Sequence, residues 1–158
     1  MCAIDRTGLR QVPLTLLVGP RPGRRSFNHL SQLKLTHLCT LLDEHEDACS
    51  IEIISSRLGV KWIWLPISGG RIEALRKVNF LDLFSRLASR LNTKRDNRVY
   101  LHCSAGIHRT GFIAYGVFRL RGLSQEAALA ELRSLRNVTV QQLGKERIEL
   151  AEKLLANL

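Results

Sequence analysis

A thiol and a guanidinium group lie close together in one short stretch of the sequence. Five residues separate Cys103 from Arg109. Cys103 follows the apolar run Val99–Leu101, which is typical of a buried strand, and a segment with helical spacing begins at Thr110. The cysteine is therefore predicted to lie at a strand end and to face a helix N-terminus, where the N–H groups of a bent loop bind anions. The spacing predicts a phosphate-binding loop with a nucleophile at its base.

Each residue type in this loop has a chemical role. A ring of N–H donors, a helix N-terminus and a guanidinium group all favour the thiolate form of Cys103. Arg109 can bind two phosphoryl oxygens with its planar fork. We expect Thr110 to donate its hydroxyl to the sulfur, which makes the sulfur a better leaving group, and His102 to orient the loop through backbone contacts. Gly106 permits a conformation or close approach that a side chain would obstruct.

The stretch His-Cys-Ser-Ala-Gly-Ile-His-Arg-Thr-Gly, from His102 to Gly111, resembles the signature loop of cysteine-dependent protein tyrosine phosphatases. Over roughly Leu16 to Leu155, the order of the predicted elements also resembles the dual-specificity branch of that superfamily. The resemblance implies a two-step displacement through a phosphocysteine, with no metal and no cofactor. It also implies that phosphate oxygens bind the backbone N–H groups of Ser104, Ala105, Gly106, Ile107, His108 and Arg109.

The length of 158 residues predicts one domain, 1–158, with a core over roughly 12–156. Apolar residues make up 45% of the chain and charged residues 24%, as is typical of a soluble globular protein. Alternating strands and helices predict an α/β fold with a central, mostly parallel sheet flanked by helices. The predicted strands are Val12–Val18, Thr36–Leu42, Val60–Leu65 and a strand ending near His102; the predicted helices are 49–58, 72–91, 112–120, 125–135 and 142–155, with Ser26 and Ser124 as N-caps and Gly59 as a C-terminal stop.

The chain departs from the resembled family where that family has its general acid. The family places an aspartate in a Pro-x-x-Asp segment, but Pro66 is followed here by Ser68-Gly69-Gly70. Glu73 is the nearest carboxyl group and is our candidate acid. The alternative is that Glu73 is a solvent-exposed residue of the first helical turn. Loss of the acid would spare good leaving groups, as in aryl phosphates and phosphoanhydrides.

Three further side chains have open roles. The imidazole of His108 could touch the substrate, add positive charge when protonated, or point to solvent. Gln141 and Gln142 lie between the last two predicted helices, near where the resembled family orients the hydrolytic water. A polar loop before a helix would also explain this pair.

The formal net charge of +10 favours anionic partners. Phosphorylated proteins are the expected substrates, on both phosphotyrosine and phosphoserine or phosphothreonine. Alternatives that use the same loop are an RNA 5′-triphosphatase, a phosphoinositide phosphatase, and a module that binds phosphoryl groups with weak or no catalysis. Arg21, Arg24, Arg25 and Arg71 could line the rim of the pocket.

The cysteines Cys2, Cys39, Cys49 and Cys103 are widely spaced and lack the spacing of metal ligands. We therefore expect reduced thiols in a reducing, cytoplasmic compartment. No apolar run approaches the roughly twenty residues that span a bilayer.

Overall fold

The computed structural model describes residues 4–158, so Cys2 lies outside the described part of the chain. At its centre is a four-stranded parallel sheet with the strand order β1-β4-β2-β3. The strands are β1 (Leu14–Gly19), β2 (His37–Thr40), β3 (Lys61–Trp64) and β4 (Asn97–His102). The α/β class and the parallel sheet predicted from the sequence are confirmed.

Helices cover both faces of this sheet. They are α1 (Phe27–Gln32), α2 (Cys49–Leu58), α3 (Ile72–Leu75), α4 (Phe80–Ser89), α5 (His108–Leu120), α6 (Gln125–Leu135), α7 (Asn137–Leu143) and α8 (Lys145–Ala156). On one face, α5 is almost wholly buried among α4, α6 and α8. On the other face, a smaller apolar cluster joins α1 and α2 to the sheet. No helix among residues 4–158 is long and apolar enough to cross a membrane.

Two of the predicted helices are wrong in their extent. The apolar pattern predicts one helix over 72–91, but the chain leaves α3 after Leu75 and starts α4 at Phe80. Asn79 is the N-cap of α4, because its side chain accepts a hydrogen bond from the N–H of Asp82. The predicted helix 142–155 is likewise divided at Gly144, whose φ is +85°.

This second break changes the setting of the glutamine pair. Gln141 and Gln142 lie in the last turn of α7 and not in a loop between helices. The caps predicted at Gly59 and Ser124 are confirmed. Ser26 precedes α1, but its hydroxyl does not cap the helix and instead accepts from the N–H of Gly23.

The register of the sheet determines where the functional loop lies. Gly19 of β1 and Thr40 of β2 are both paired with His102, the last residue of β4. Trp64 of β3 is paired with Thr40. The carboxyl ends of all four strands therefore meet at one edge, where open parallel sheets place their ligands.

Candidate active site

The loop that follows β4 is bent into a cup between the sheet and the N-terminus of α5. Gly106 makes this bend possible, because its φ is +69° and a Cβ at this position would overlap the carbonyl group of Gly19. The N–H of Arg21 donates to the carbonyl of Ser104 at 2.9 Å and fixes the near side of the loop. The loop is thus held tightly against the carboxyl end of β1.

Cys103 lies at the base of the cup and is 3% exposed. The hydroxyl of Thr110 donates to its Sγ at 3.1 Å. Burial raises the pKa of the thiol, but hydrogen bonds from Thr110 and from the backbone N–H of Ile107, together with the charge of Arg109, outweigh this effect. The pKa of Cys103 therefore lies below its ordinary value, which favours the nucleophilic thiolate.

Arg109 is 6% exposed and is held by a carboxylate that the sequence analysis did not single out. Its Nη1 and Nη2 donate to Oε2 and Oε1 of Glu46 at 2.6 and 2.8 Å. Nη1 also donates to the carbonyl of Ile67 at 3.0 Å. Among residues 4–158, the Nε–H of Arg109 and the second Nη2 hydrogen have no acceptor, so one edge of the guanidinium is free for phosphate oxygens.

Glu46 is itself fixed in place by its own turn and by Arg21, which follows β1. Its Oε2 accepts from the N–H of Asp43 at 2.9 Å, and the side chain of Arg21 donates to the carbonyl of Glu46. The hydrogen bond with Arg109 lowers the pKa of Glu46 against the opposing effect of burial. Arg21 also donates to Ser50 at 2.7 Å, so it braces this turn and is not a free rim residue.

His102 is fully buried beside the nucleophile. Its Nδ1 lies 3.0 Å from the carbonyl of Cys103 and its Nε2 lies 2.8 Å from Oγ1 of Thr40. Since a carbonyl only accepts, Nδ1 carries the proton and Nε2 accepts from Thr40, which in turn accepts from Nε1 of Trp62 at 2.9 Å. Burial lowers the pKa of His102 to about 4, so the ring is neutral near pH 7.

Two residues that sequence reasoning missed hold the loop from the side of α7. Oγ1 of Thr139 donates to the carbonyl of Gly106 at 2.7 Å. Nη1 of Arg136 donates to the carbonyls of Ala105 and Gly106 at 3.0 and 2.9 Å. These bonds hold the two carbonyls on the side of α7. Because a trans peptide places its N–H opposite its carbonyl, the N–H groups of Gly106 and Ile107 face the other side of the loop, where that of Ile107 reaches the sulfur of Cys103.

The segment expected to carry the general acid lies beside the cup. Ile67 contacts Arg109 through its carbonyl, and a Cβ at Gly70 would come within 2.7 Å of Cβ of His108. The residues between them, Ser68 and Gly69, bear no carboxyl group. Glu73 lies on α3, is exposed, and has no hydrogen-bond partner among the described residues. Its role as the acid stays a prediction.

His108 is half-buried at the first position of α5, under Gly70. Burial and the charge of Arg147 lower its pKa, against a hydrogen bond with the backbone of Gln142. The residues Gln141 and Gln142 are both exposed, and their role in positioning water stays a prediction. No cluster of potential metal ligands occurs in the stretch 4–158.

Comparison with known proteins extends the resemblance at the level of fold. No protein-family model and no curated protein matches the sequence. Among solved structures, the PTP-2 phosphatase of Cydia pomonella is 20% identical with a TM-score of 0.63, and the match covers 87% of this chain and 84% of that chain. Tk-PTP in its active form is 19% identical with a TM-score of 0.59, over 99% of this chain and 100% of that chain.

A third similar structure is the core catalytic domain of the PP-IP phosphatase SIW14 from S. cerevisiae, in complex with citrate. It is 19% identical with a TM-score of 0.58, and the match covers 89% of this chain and 79% of that chain. Together with the geometry of the loop, these similarities show that the chain has the fold of the cysteine-dependent tyrosine and dual-specificity phosphatases.

Proposed function

We propose that this protein is a cysteine-dependent phosphatase that hydrolyses phosphate monoesters through a phosphocysteine intermediate. Phosphotyrosine in proteins is its preferred substrate, and phosphoserine and phosphothreonine are slower ones. The proposal is carried by one observation: the Cys103 sulfur accepts a hydrogen bond from Thr110 at the base of a loop where Arg109, fixed by Glu46, keeps one edge free. These groups supply a nucleophile and the donors that its phosphoryl target needs.

In the first step, the phosphoryl oxygens bind to the loop N–H groups and to the free edge of Arg109. The Cys103 thiolate attacks phosphorus, the S–P bond forms, and the P–O bond to the substrate breaks. The leaving oxygen keeps the electron pair and takes a proton from water or from an acid. The donors stabilise the charge that spreads over the equatorial oxygens in the transition state.

In the second step, a water oxygen attacks phosphorus and the S–P bond breaks. The sulfur leaves as a thiolate, and the hydrogen bond from Thr110 stabilises this charge. The water proton passes to a solvent base or to a carboxylate, and inorganic phosphate is released. The enzyme returns to its starting state without a redox change.

The loop beside the cup sets the substrate preference. General acid catalysis typically contributes about a hundred- to ten-thousand-fold to a rate. The residues Ser68, Gly69 and Gly70 supply no such acid, so a good leaving group gains the most. A phenol has a pKa of about 10 and leaves far more readily than an aliphatic alcohol. The proposal therefore favours phosphotyrosine over phosphoserine.

The same observation supports a second candidate, a phosphoanhydride substrate such as a 5′-triphosphorylated RNA or a pyrophosphorylated inositol. An anhydride needs no protonated leaving group. Arg24 and Arg25 follow β1 and Arg71 follows β3, so all three lie near the carboxyl edge of the sheet and are exposed. They could bind additional phosphates. The similar SIW14 structure is described as a PP-IP phosphatase.

The test is phosphate release from five substrates: an aryl phosphate, a phosphotyrosine peptide, a phosphoserine peptide, a phosphoinositide and a 5′-triphosphorylated RNA. Cys103→Ser is compared with Cys49→Ser, a matched change at an exposed cysteine. We expect the wild type and Cys49→Ser to hydrolyse the phosphotyrosine peptide at least tenfold faster than the phosphoserine peptide. Cys103→Ser should be inactive on both.

Acid quenching of the wild type with a ³²P-labelled substrate should trap label on Cys103. Release only from the RNA would replace the protein phosphatase by the phosphoanhydride class. Release only from the phosphoinositide would replace protein phosphomonoesters by lipid phosphomonoesters as the substrate. Binding of phosphopeptide without hydrolysis of any substrate would make the protein a phosphoryl-binding module. Loss of the basic limb of the pH profile in Glu73→Gln would identify Glu73 as the acid.

A further inference from the structure

The outer strand of the sheet, β3, has one unpaired edge. The N–H groups of Lys61 and Leu65 donate inward to the carbonyls of Thr36 and Thr40. Because the backbone groups of a strand alternate between its two edges, the N–H and C=O groups of the intervening even-numbered residues point away from the sheet. Within residues 4–158, no strand lies on that side. An edge of this kind is a template for a further strand.

A groove of about 910 Å³ follows this edge between α2 and α4. Its two walls differ in chemistry. The α2 wall carries small polar residues, one glutamate and two indole rings that stack at a centroid distance of 5.7 Å. The α4 wall is basic. The α2 wall is formed by Glu52, Ser55 and Ser56 of α2 together with Trp62 and Trp64 of β3, which face the same side of the sheet. The α4 wall is formed by Arg86 and Ser89 of α4, by Arg90 directly after it and by Lys61 of β3, with His37 of β2 beneath it.

Positive charge is concentrated on the α4 wall. Lys61, Arg86 and Arg90 are exposed there, and only Arg86 has an ion-pair partner, Asp82 at 3.6 Å, among the described residues. His37 lines the same groove and is 4% exposed. Its Nδ1 is hydrogen-bonded to Thr36, but its Nε2 has no partner in the described part of the chain.

We propose that this groove binds an acidic peptide in an extended conformation, which adds to the sheet as a strand beside β3. Side chains of a strand alternate between its two faces. Acidic side chains at every second position would meet the basic α4 wall, and small apolar side chains at the positions between them would contact the two indole rings. The backbone of the peptide would satisfy the outward N–H and C=O groups of Trp62 and Trp64.

The charges of the groove disfavour two other occupants. A second copy of this chain would pair β3 with β3 and bring Lys61, Arg86 and Arg90 of both copies together, which is repulsive. A single-stranded RNA would place phosphates against the outward carbonyls of Trp62 and Trp64, and both indole N–H groups already donate within the protein. An extended peptide fits both the donors and the acceptors of the edge.

This groove is separate from the phosphate loop. Two strand spacings separate β3 from β4, and an added strand lies one spacing further out, so its axis is roughly 15 Å from that of β4. Binding in the groove therefore does not depend on the proposed phosphatase activity. It can be measured with peptides that carry no phosphate.

The first probe is a fluorescent eight-residue peptide with alternating Glu and Val, and its control is the matching Lys and Val peptide. We expect anisotropy titration to show saturable binding of the Glu and Val peptide and no binding of the Lys and Val peptide. The double variant Arg86→Glu/Arg90→Glu should bind it at least about tenfold more weakly. The matched control Arg133→Glu/Lys153→Glu has the same change of net charge on exposed residues of α6 and α8, and should stay within about twofold of the wild type.

The second probe tests strand pairing itself. Two versions of the acidic peptide are N-methylated, one at every Val and the other at every Glu. N–H groups at alternate positions point to opposite edges of a strand, so one version should lose binding and the other should retain it. Retention by both versions would overturn the proposal.

Four other results would overturn it as well. The first is that the acidic peptide does not bind at millimolar protein, and the second is that inorganic phosphate displaces it, which would place the peptide in the cup. The third is that both double variants weaken binding equally. The fourth is that a labelled oligouridylate binds more tightly than the peptide and that Arg86→Glu/Arg90→Glu abolishes its binding.

Discussion

At the scale of single residues, the guanidinium of Arg109 has two edges with different partners. One edge is occupied by Glu46 and the carbonyl of Ile67. The other is free for the phosphoryl group. Because burial alone lowers the pKa of an arginine and Glu46 raises it, the net pKa of Arg109 lies above its ordinary value and the charge is retained. The protein thus fixes the orientation of the charge before a substrate arrives.

Thr110→Ala tests how the sulfur is activated. The variant should raise the pKa of Cys103, because it removes a hydrogen bond that lowers that pKa. A hydrogen bond to a charged group is worth about 1.5–3 kcal/mol, so we expect kcat to fall roughly ten- to a hundredfold, with a larger burst of product. The rate of iodoacetamide alkylation against pH measures the first effect, and stopped-flow kinetics the second. Thr110→Ser should restore both; an unchanged alkylation profile in Thr110→Ala would contradict the assignment.

Glu46→Gln tests how Arg109 is held. The side chain of Glu46 is 31% accessible, so the pair is only partly buried. We therefore expect the variant to lose about 2 kcal/mol of transition-state stabilisation, which is less than the loss for a fully buried pair. In kinetic terms, kcat/KM for an aryl phosphate should fall ten- to a hundredfold. Glu44→Gln changes an exposed carboxylate of the same turn and should leave kcat/KM unchanged. Equal effects of the two variants would show that the turn and not the ion pair matters.

The sequence predicted the nucleophile and the arginine of the site but not the glutamate that holds the arginine. Cys103, Arg109 and Thr110 are contiguous in one loop, so their spacing alone predicts that they meet. Glu46 acts on Arg109 from 63 residues away, and a chemical role for it was not predicted. Its signal was the acidic turn Asp43–Asp47 directly after β2. That turn becomes informative only when the strand order places β2 next to β4.

At the scale of elements, α7 is a support for the phosphate loop. Its buried residue Thr139 donates to the carbonyl of Gly106, and Leu143 packs close to Gly111 at the start of α5. The sequence pattern gave no indication of this support, because residues 137–141 were not expected to be helical and 142–143 were assigned to the following helix. Gly144, with a φ of +85°, ends α7 and separates it from α8.

Thr139→Val tests this support with little change of shape. The variant removes the hydroxyl and leaves the carbonyl of Gly106 with Arg136 as its side-chain donor. We expect the free energy of unfolding to fall by about 1–2 kcal/mol and the inhibition constant of inorganic phosphate to rise roughly tenfold. Urea unfolding and competition with an aryl phosphate measure these values. Thr139→Ser should recover phosphate binding, and a Thr139→Val protein with unchanged phosphate binding would show that α7 only fills space.

Helix breaks were harder to predict than helix types. The apolar spacing over 72–91 continues across the turn at 76–79, so the pattern alone favours one helix. Asn79 carried the correct signal as a capping residue, but capping signals are short and occur at many polar positions. Ser124 and Gly59 were predicted correctly because an apolar pattern begins or ends beside each of them.

At the scale of the whole molecule, strand order brings distant parts of the chain together. β4 is the last strand in the sequence, yet it lies between β1 and β2. His102 at its end is fully buried, and burial lowers its pKa from 6.5 to about 4. The unfolded chain therefore binds more protons than the folded chain between these two values, and stability is lost as the pH falls from about 6.5 towards 4.

His102→Gln tests this linkage. Between pH 7 and pH 5, the wild type should lose about 2 kcal/mol of unfolding free energy through this residue, and the variant should lose much less. Urea titrations at the two pH values measure the difference. His45→Gln, at an exposed histidine, should keep the wild-type dependence. The idea fails if His102→Gln and the wild type lose equal stability over this interval.

The net charge of +10 also acts at this scale, through the approach of the substrate. Arg24, Arg25 and Arg71 are exposed near the carboxyl edge of the sheet, so a substrate with several negative charges should be attracted to the cup, and salt should screen this attraction.

We expect kcat/KM for a phosphotyrosine peptide flanked by glutamates to fall roughly tenfold between low and physiological salt, and kcat/KM for a peptide with neutral flanks to fall much less. The variant Arg24→Glu/Arg25→Glu should reduce this salt dependence, whereas Arg133→Glu/Lys153→Glu should preserve it. Equal salt dependence of both peptides would mean that the charge is spread too evenly to guide a substrate, and the positive charge would then have no part in selecting it.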